Sequence, residues 1–260
     1  NIDKEGPELS VEYSTEELTN DDVTVTIRTN EEVQALEDWD ISEDKMILTK
    51  VYSENTIENV TIKDLAGNTS TLEITVNNIV KELPNYIVTY SPEGVTNGDV
   101  EVKIKANKEL QEIEDWTISE DKKELTKIYS TNTTEDVEIK DIAGNSEIVK
   151  INVTNIDKEN PVIEVTYITK EITNEDVIVT IVSDKEIQNI EGWELSEDKK
   201  TLTKIYVENT NEDVEVKDIA GNGSIVTIEI TNIDKKSPIV GVSYSKLNEE
   251  SNDIIATIRT

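Results

Sequence analysis

The chain contains no cysteine, no histidine and no phenylalanine, and only one methionine and five prolines in 260 residues. Without cysteine there are neither disulfides nor thiolate metal sites, and the lack is silent about redox compartment. Without histidine, the usual general base and the usual transition-metal ligand are both missing. No apolar run is long enough to span a bilayer, and no cationic leader precedes one. Basic residues are also scarce, with 25 Lys and Arg against 57 Asp and Glu and a formal charge of −32. Charge of that size repels nucleic acid phosphates and anionic lipid surfaces, so neither is expected as a partner. It attracts cations and pushes neighbouring parts of an extended molecule apart. With 35% apolar and 32% charged residues, the composition taken alone resembles that of a disordered protein.

What is present is a period. The hexamer KDLAGN at 63–68 returns as KDIAGN at 140–145 and 217–222, each 77 residues after the last. Trp39, Trp116 and Trp193 keep the same step, as do Pro7, Pro84, Pro161 and Pro238. Asn1, Asn78, Asn155 and Asn232 open the copies. A sequence period is read before any local assignment. It predicts an excerpt of a longer array, with repeats over 1–77, 78–154 and 155–231 and a truncated fourth over 232–260.

Within a copy, apolar residues alternate with polar ones, the pattern of half-buried strands. Val23, Val25 and Ile27 show it, echoed by Val100, Val102 and Ile104. No segment sustains a helical stripe, and Val33, Leu36 and Trp39 read as one irregular turn. Ordered alternation locked to a period rules against disorder. The SEDK segments at 42–45, 119–122 and 196–199 predict hairpins. Gly67, Gly144 and Gly221 supply the positive φ that a tight turn between two strands needs. About seven strands fit in such a copy. The expected fold class is all-β, a tandem array of small immunoglobulin-like antiparallel β-sandwiches. So short a domain is marginal alone unless neighbours or ions help.

The recurrent motifs could carry several chemistries. A phosphate loop needs several glycines and a helix behind them, and the hexamer has one glycine between two strands. A carboxylate-pair enzyme needs one acid desolvated beside another, whereas these acids sit at wet positions. No catalysis is expected.

A metal reading rests on geometry. In immunoglobulin-type connections the last hairpin loop lies at the N-terminal pole and the first loop at the C-terminal pole. At an end-to-end junction, the upstream first loop, the linker and the downstream last loop converge. All three carry oxygen ligands suited to a hard cation, with calcium as the candidate cofactor. The first loop brings Asn97 and Asp99, then Asn174 and Asp176. The linker brings Asp157 and Asp234, and the last loop Asp141 and Asp218. Val80 replaces the linker acid at the first junction. The same residues are also ordinary turn formers, so a turn-only reading stands beside the metal one.

Lys50, Lys127 and Lys204 lie on the parity of the apolar positions, where an ammonium needs a partner or an outward path. A Lys–Asn isopeptide bond with Asn55, Asn132 or Asn209, promoted by Glu37, Glu114 or Glu191, is one resolution. A cross-strand Lys–Glu pair over the SEDK hairpin is the simpler one.

In order, N-I-D-K-x-x-P, T-N-x-D-V, W-x-x-S-E-D-K-K-x-L-T-K-x-Y and D-x-A-G-N resemble the tandem bacterial Ig-like repeats of large secreted and surface-anchored proteins. The resemblance covers all 260 residues and names a module rather than one protein. It implies an extracellular or cell-surface stalk, an extended rod stiffened by divalent cations at its junctions. Its partners would be neighbouring repeats of the same chain, with domains outside this segment meeting a host protein or glycan. Calcium between domains is likewise what the resemblance implies for Asp157, Asp218 and Asp234. Direct binding of a host protein or glycan by the repeats, or an accessory role in a secreted hydrolase, is the alternative. The aromatics that would stack on glycans are only 4% of the chain.

Overall fold

The computed structural model describes residues 3–250 and 252–260; Asn1, the expected opening residue, lies outside them. Among the described residues there is no helix, so none is long and apolar enough to cross a membrane. All strand pairs run antiparallel.

In the first copy, β1 (Leu9–Tyr13), β2 (Val23–Thr29), β3 (Asp40–Ile41) and β4 (Ile47–Tyr52) form one sheet in the order β1-β2-β4-β3. A two-stranded sheet of β5 (Thr56–Lys63) and β6 (Thr69–Val76) completes the copy. The second copy repeats the plan with β7 (Tyr86–Ser91), β8 (Val100–Ala106), β9 (Thr117–Ile118), β10 (Glu124–Tyr129), β11 (Thr133–Lys140) and β12 (Ser146–Val153). The third does so with β13 (Ile163–Tyr167), β14 (Val177–Ser183), β15 (Glu194–Leu195), β16 (Thr201–Tyr206), β17 (Thr210–Lys217) and β18 (Gly223–Ile230). The fourth contributes one exposed hairpin, β19 (Gly241–Lys246) and β20 (Ile254–Arg259).

The alternation read from sequence sets the buried face. Val23, Val25 and Ile27 on β2 are fully buried, and Ile27 stands opposite Leu48 of β4. They share one core with Val60, Ile62, Ile74 and Val76 from the two-stranded sheet, capped by Trp39. Removing each such aliphatic side chain from water stabilises the copy by about 1.5–3 kcal/mol.

There are six strands per copy where about seven were expected. The segment through Val33, Leu36 and Trp39 is irregular, as expected, and Asp38 and Asp115 adopt φ 64° within it and its equivalent in the second copy. The third copy places Gly192, at φ 81°, in that position, which relieves the strain an L side chain meets in the left-handed region.

Residue contacts divide the chain into two compact units. One comprises Asn1–Glu93 with Asp99–Thr154, the other Gly94–Gly98 with Asn155–Thr260. The first two copies fall in one unit. Ile79 lies in the first copy's core and Ile233 in the third's. Asn55 fixes this by donating to the Ile79 carbonyl (2.9 Å) and accepting from its N–H (2.8 Å). Asn209 does the same for Ile233, at 3.0 and 2.9 Å.

Candidate functional site

The recurrent hexamer folds as a turn closed by its own aspartate. Asp64, Asp141 and Asp218 are each 1% exposed. In the second copy, Asp141 accepts from the Asn145 N–H and from its side-chain amide, both at 2.9 Å. Asp218 accepts the equivalent pair from Asn222 at 2.8 and 3.0 Å. The glycine between them sits at φ +97°, +97° and +99° in the three copies, a conformation other residues rarely adopt.

These hairpins are docking elements as well as turns. In the first unit, the Asn20 N–H donates to the Ala143 carbonyl (2.8 Å), and the Asn145 amide donates to the Val80 carbonyl (2.9 Å). Thr19 pins the linker between them in a parallel bridge, accepting from the Val80 N–H (2.8 Å) and donating to the Asn78 carbonyl (3.0 Å). In the second unit, Asn97 donates to Ala220 (3.0 Å), Asn222 to Asp157 (2.9 Å), and Thr96 bridges the linker at 2.8 and 2.9 Å. The predicted ligand Asn97 therefore acts through its backbone. Its side chain packs over Gly221, whose missing Cβ would stand 3.4 Å from the Asn97 amide nitrogen. The expectation that the hexamer's aspartate faces the preceding module is corrected. The alanine carbonyl meets the preceding loop, while the aspartate closes its own turn.

The cation that Asp157 and Asp218 meet is a lysine of the same unit. The Lys185 ammonium donates to both Asp157 oxygens at 2.9 Å and lies 3.7 Å from Asp218. Lys185 holds the Asp157 carboxyl below its usual range, and Asp157 in turn raises the lysine. The Lys185 ammonium thus offsets part of the negative charge of these two acids. In the second copy, Lys108 stands 3.5 Å from Asp141 and donates to the Glu82 carbonyl, beside Val80. The first copy has Glu31 at that position, and it brings Asp3, Glu31 and Asp64 oxygens within 4.8 Å of one another. Desolvation, then the charges of Asp3 and Asp64, push the Glu31 carboxyl up. The remaining predicted ligands are dispersed. Asp176 pairs with Lys235 of the linker (2.6 Å), and Asp234 accepts from the Lys236 N–H (3.0 Å). Asn174 and Asp99 are exposed, and Asp99 belongs to the first unit.

A second constellation recurs where isopeptide chemistry was considered. Lys50 donates to Glu58 (2.9 Å), Lys127 to Glu135 (3.0 Å) and Lys204 to Glu212 (2.7 Å). Tyr52, Tyr129 and Tyr206 donate to the same glutamates in turn. The ammonium of Lys50 also lies 4.9 Å over the Tyr52 ring and 5.7 Å over Trp39, a cation–π arrangement. The simple Lys–Glu pairing occurs, but its glutamate comes from β5 rather than across the SEDK hairpin. The isopeptide expectation differs from the geometry on both sides. Asn55 and Asn209 are engaged with linker isoleucines, and Glu37, Glu114 and Glu191 are exposed.

This network makes stability depend on pH at both ends. Tyrosine and lysine donors hold the Glu58 and Glu135 carboxyls low, and lysine then tyrosine do so for Glu212. Their contribution is complete above the unfolded carboxylate pKa, and it is lost as pH falls through the lowered folded values. Burial, then the hydrogen bond to glutamate, raises the phenols of Tyr52, Tyr129 and Tyr206. The folded chain keeps those protons longer, so stability declines once pH rises beyond the unfolded tyrosine value of about 10. Of eight tyrosines, these three are expected to ionise only with unfolding, read as late steps in an ultraviolet titration.

No protein-family model and no curated protein matches the chain. One similar solved structure is described as a crystal structure with xylogluco-oligosaccharide. It shares 10% identity at a TM-score of 0.25, over 90% of this chain and 64% of that one. The chain thus spans less than two thirds of that structure, and a likeness at this level carries no argument about fold or activity.

Proposed function

We propose that the chain is a non-catalytic structural array of small Ig-like β-sandwiches, a stalk or spacer of a secreted or cell-surface bacterial protein. One observation carries this reading. The same main-chain joint, asparagine N–H to alanine carbonyl with a bridged linker beside it, is built twice from equivalent residues. Repeated joints of fixed geometry suit a part whose task is to hold a distance. Partners for the segment itself are its neighbouring repeats. The array takes positive charge at two poles from Lys108 and Lys185 rather than from calcium.

Small-angle scattering on the 260-residue chain, with calcium and with chelator, tests both parts. An elongated particle whose dimensions change little on chelation is expected. A compact particle would overturn the spacer. Marked lengthening or shortening on calcium removal would overturn the lysine account and restore a cation bridge.

A further inference from the structure

The joint has two complementary halves, and the described residues leave one of each open. On the loop side, the Asn174 N–H meets no acceptor among the described residues, whereas Asn20 and Asn97 meet Ala143 and Ala220. Ile172 beside it is 82% exposed, against 46% for its equivalents Leu18 and Val95. On the hairpin side, Ala66 is exposed, while Ala143 and Ala220 are buried to 7% and 8% exposure. Among the described residues Asn68 likewise donates only to Asp64, where Asn145 and Asn222 each add a linker carbonyl.

We infer that the Ile172–Asp176 loop is a docking surface for the D-x-A-G-N hairpin of another copy of this module, whichever copy supplies it. The half-joint is already in place. Thr173 bridges the linker at Ile233, accepting from the Asp234 N–H (2.8 Å) and donating to the Asn232 carbonyl (2.9 Å). The surface is indifferent to most side chains, because the two completed joints differ in theirs. Their loops read TNDD and TNGD, and their linkers carry Val80 or Asp157. Yet the asparagine-to-alanine bond is 2.8 Å in one and 3.0 Å in the other, and the amide-to-linker bond is 2.9 Å in both. The closest side-chain approach in the joint is made over the glycine. A Cβ on Gly144 would stand 3.1 Å from the Asn20 side-chain oxygen, and one on Gly221 3.4 Å from the Asn97 amide nitrogen. The loop asparagine thus packs directly over the glycine, whose φ of +97° or +99° few other residues adopt. The inference is independent of the spacer role, since an array of ligand-binding modules would use the same joint.

Amide hydrogen exchange tests it. Residues 184–231 appended after Thr260 stay in phase with the 77-residue step and complete a fourth copy with its own KDIAGN hairpin. Exchange at Asn174 is expected to slow by about tenfold or more, toward the rates of Asn20 and Asn97. Unchanged exchange at Asn174, with the appended tryptophan buried, would overturn the inference. The unaltered chain gives a second reading that does not depend on the appended part folding. There, Asn20 and Asn97 should exchange about tenfold or more slowly than Asn174. Equal rates at all three would show that the joint does not form in solution, and the inference would fail.

Discussion

Leu202→Ala is expected to destabilise the third copy by about 2–5 kcal/mol, the range for emptying a leucine's place in a packed interior. Leu202 is fully buried on β16, opposite Ile181 of β14 and Leu195 of β15, and it belongs to the core that includes Trp193. Three strands thus converge on one side chain, and none can close the gap without breaking its ladder. A domain of this size has only about 4–12 kcal/mol of stability in total. The loss would therefore be a large share of it. Urea unfolding followed by tryptophan fluorescence should show one early step from the altered copy and a later one from the rest. The equivalent changes Leu48→Ala and Leu125→Ala should move the early step to the first and second copies. A single transition at the original midpoint would mean that the leucine is not in a core.

Asp218→Ala should cost about 2–4 kcal/mol, because it leaves the Asn222 N–H and side-chain amide without their acceptor in a buried turn. Asn222 is 6% exposed, so water cannot readily replace the carboxylate. The same change at Asp64 removes a similar pair of bonds, but from a hairpin whose alanine and glycine are exposed. Asp64→Ala should therefore be milder. Thermal unfolding of the two variants gives the comparison. Equal losses would show that burial by the preceding loop adds nothing to the turn.

Much of the fold was legible because it is local. The alternation at Val23, Val25 and Ile27 reappears as the buried face of β2, and the SEDK segment closes the β3–β4 hairpin as its composition required. Gly67, Gly144 and Gly221 take the positive φ that their turn demanded. What escaped the sequence was pairing over distance. Asn55 recurs in register and drew attention for that reason, but its partner, Ile79, lies 24 residues on and is met through backbone atoms that carry no signature. The glutamate that receives Lys50 was readable in principle, since an eight-residue spacing links Lys50 to Glu58, Lys127 to Glu135 and Lys204 to Glu212. Lys108 and Lys185 carry no repeat signature, since the first copy has Glu31 at their position.

The seating of Ile79 and Ile233 in the cores before them has a mechanical consequence. Tension applied along the polypeptide reaches each connector through a residue sunk in the preceding hydrophobic interior and gripped by an asparagine at both its N–H and its carbonyl. A swivel at residue 79 or 233 would require that anchor to be drawn out first, so each connector leaves its preceding core without slack.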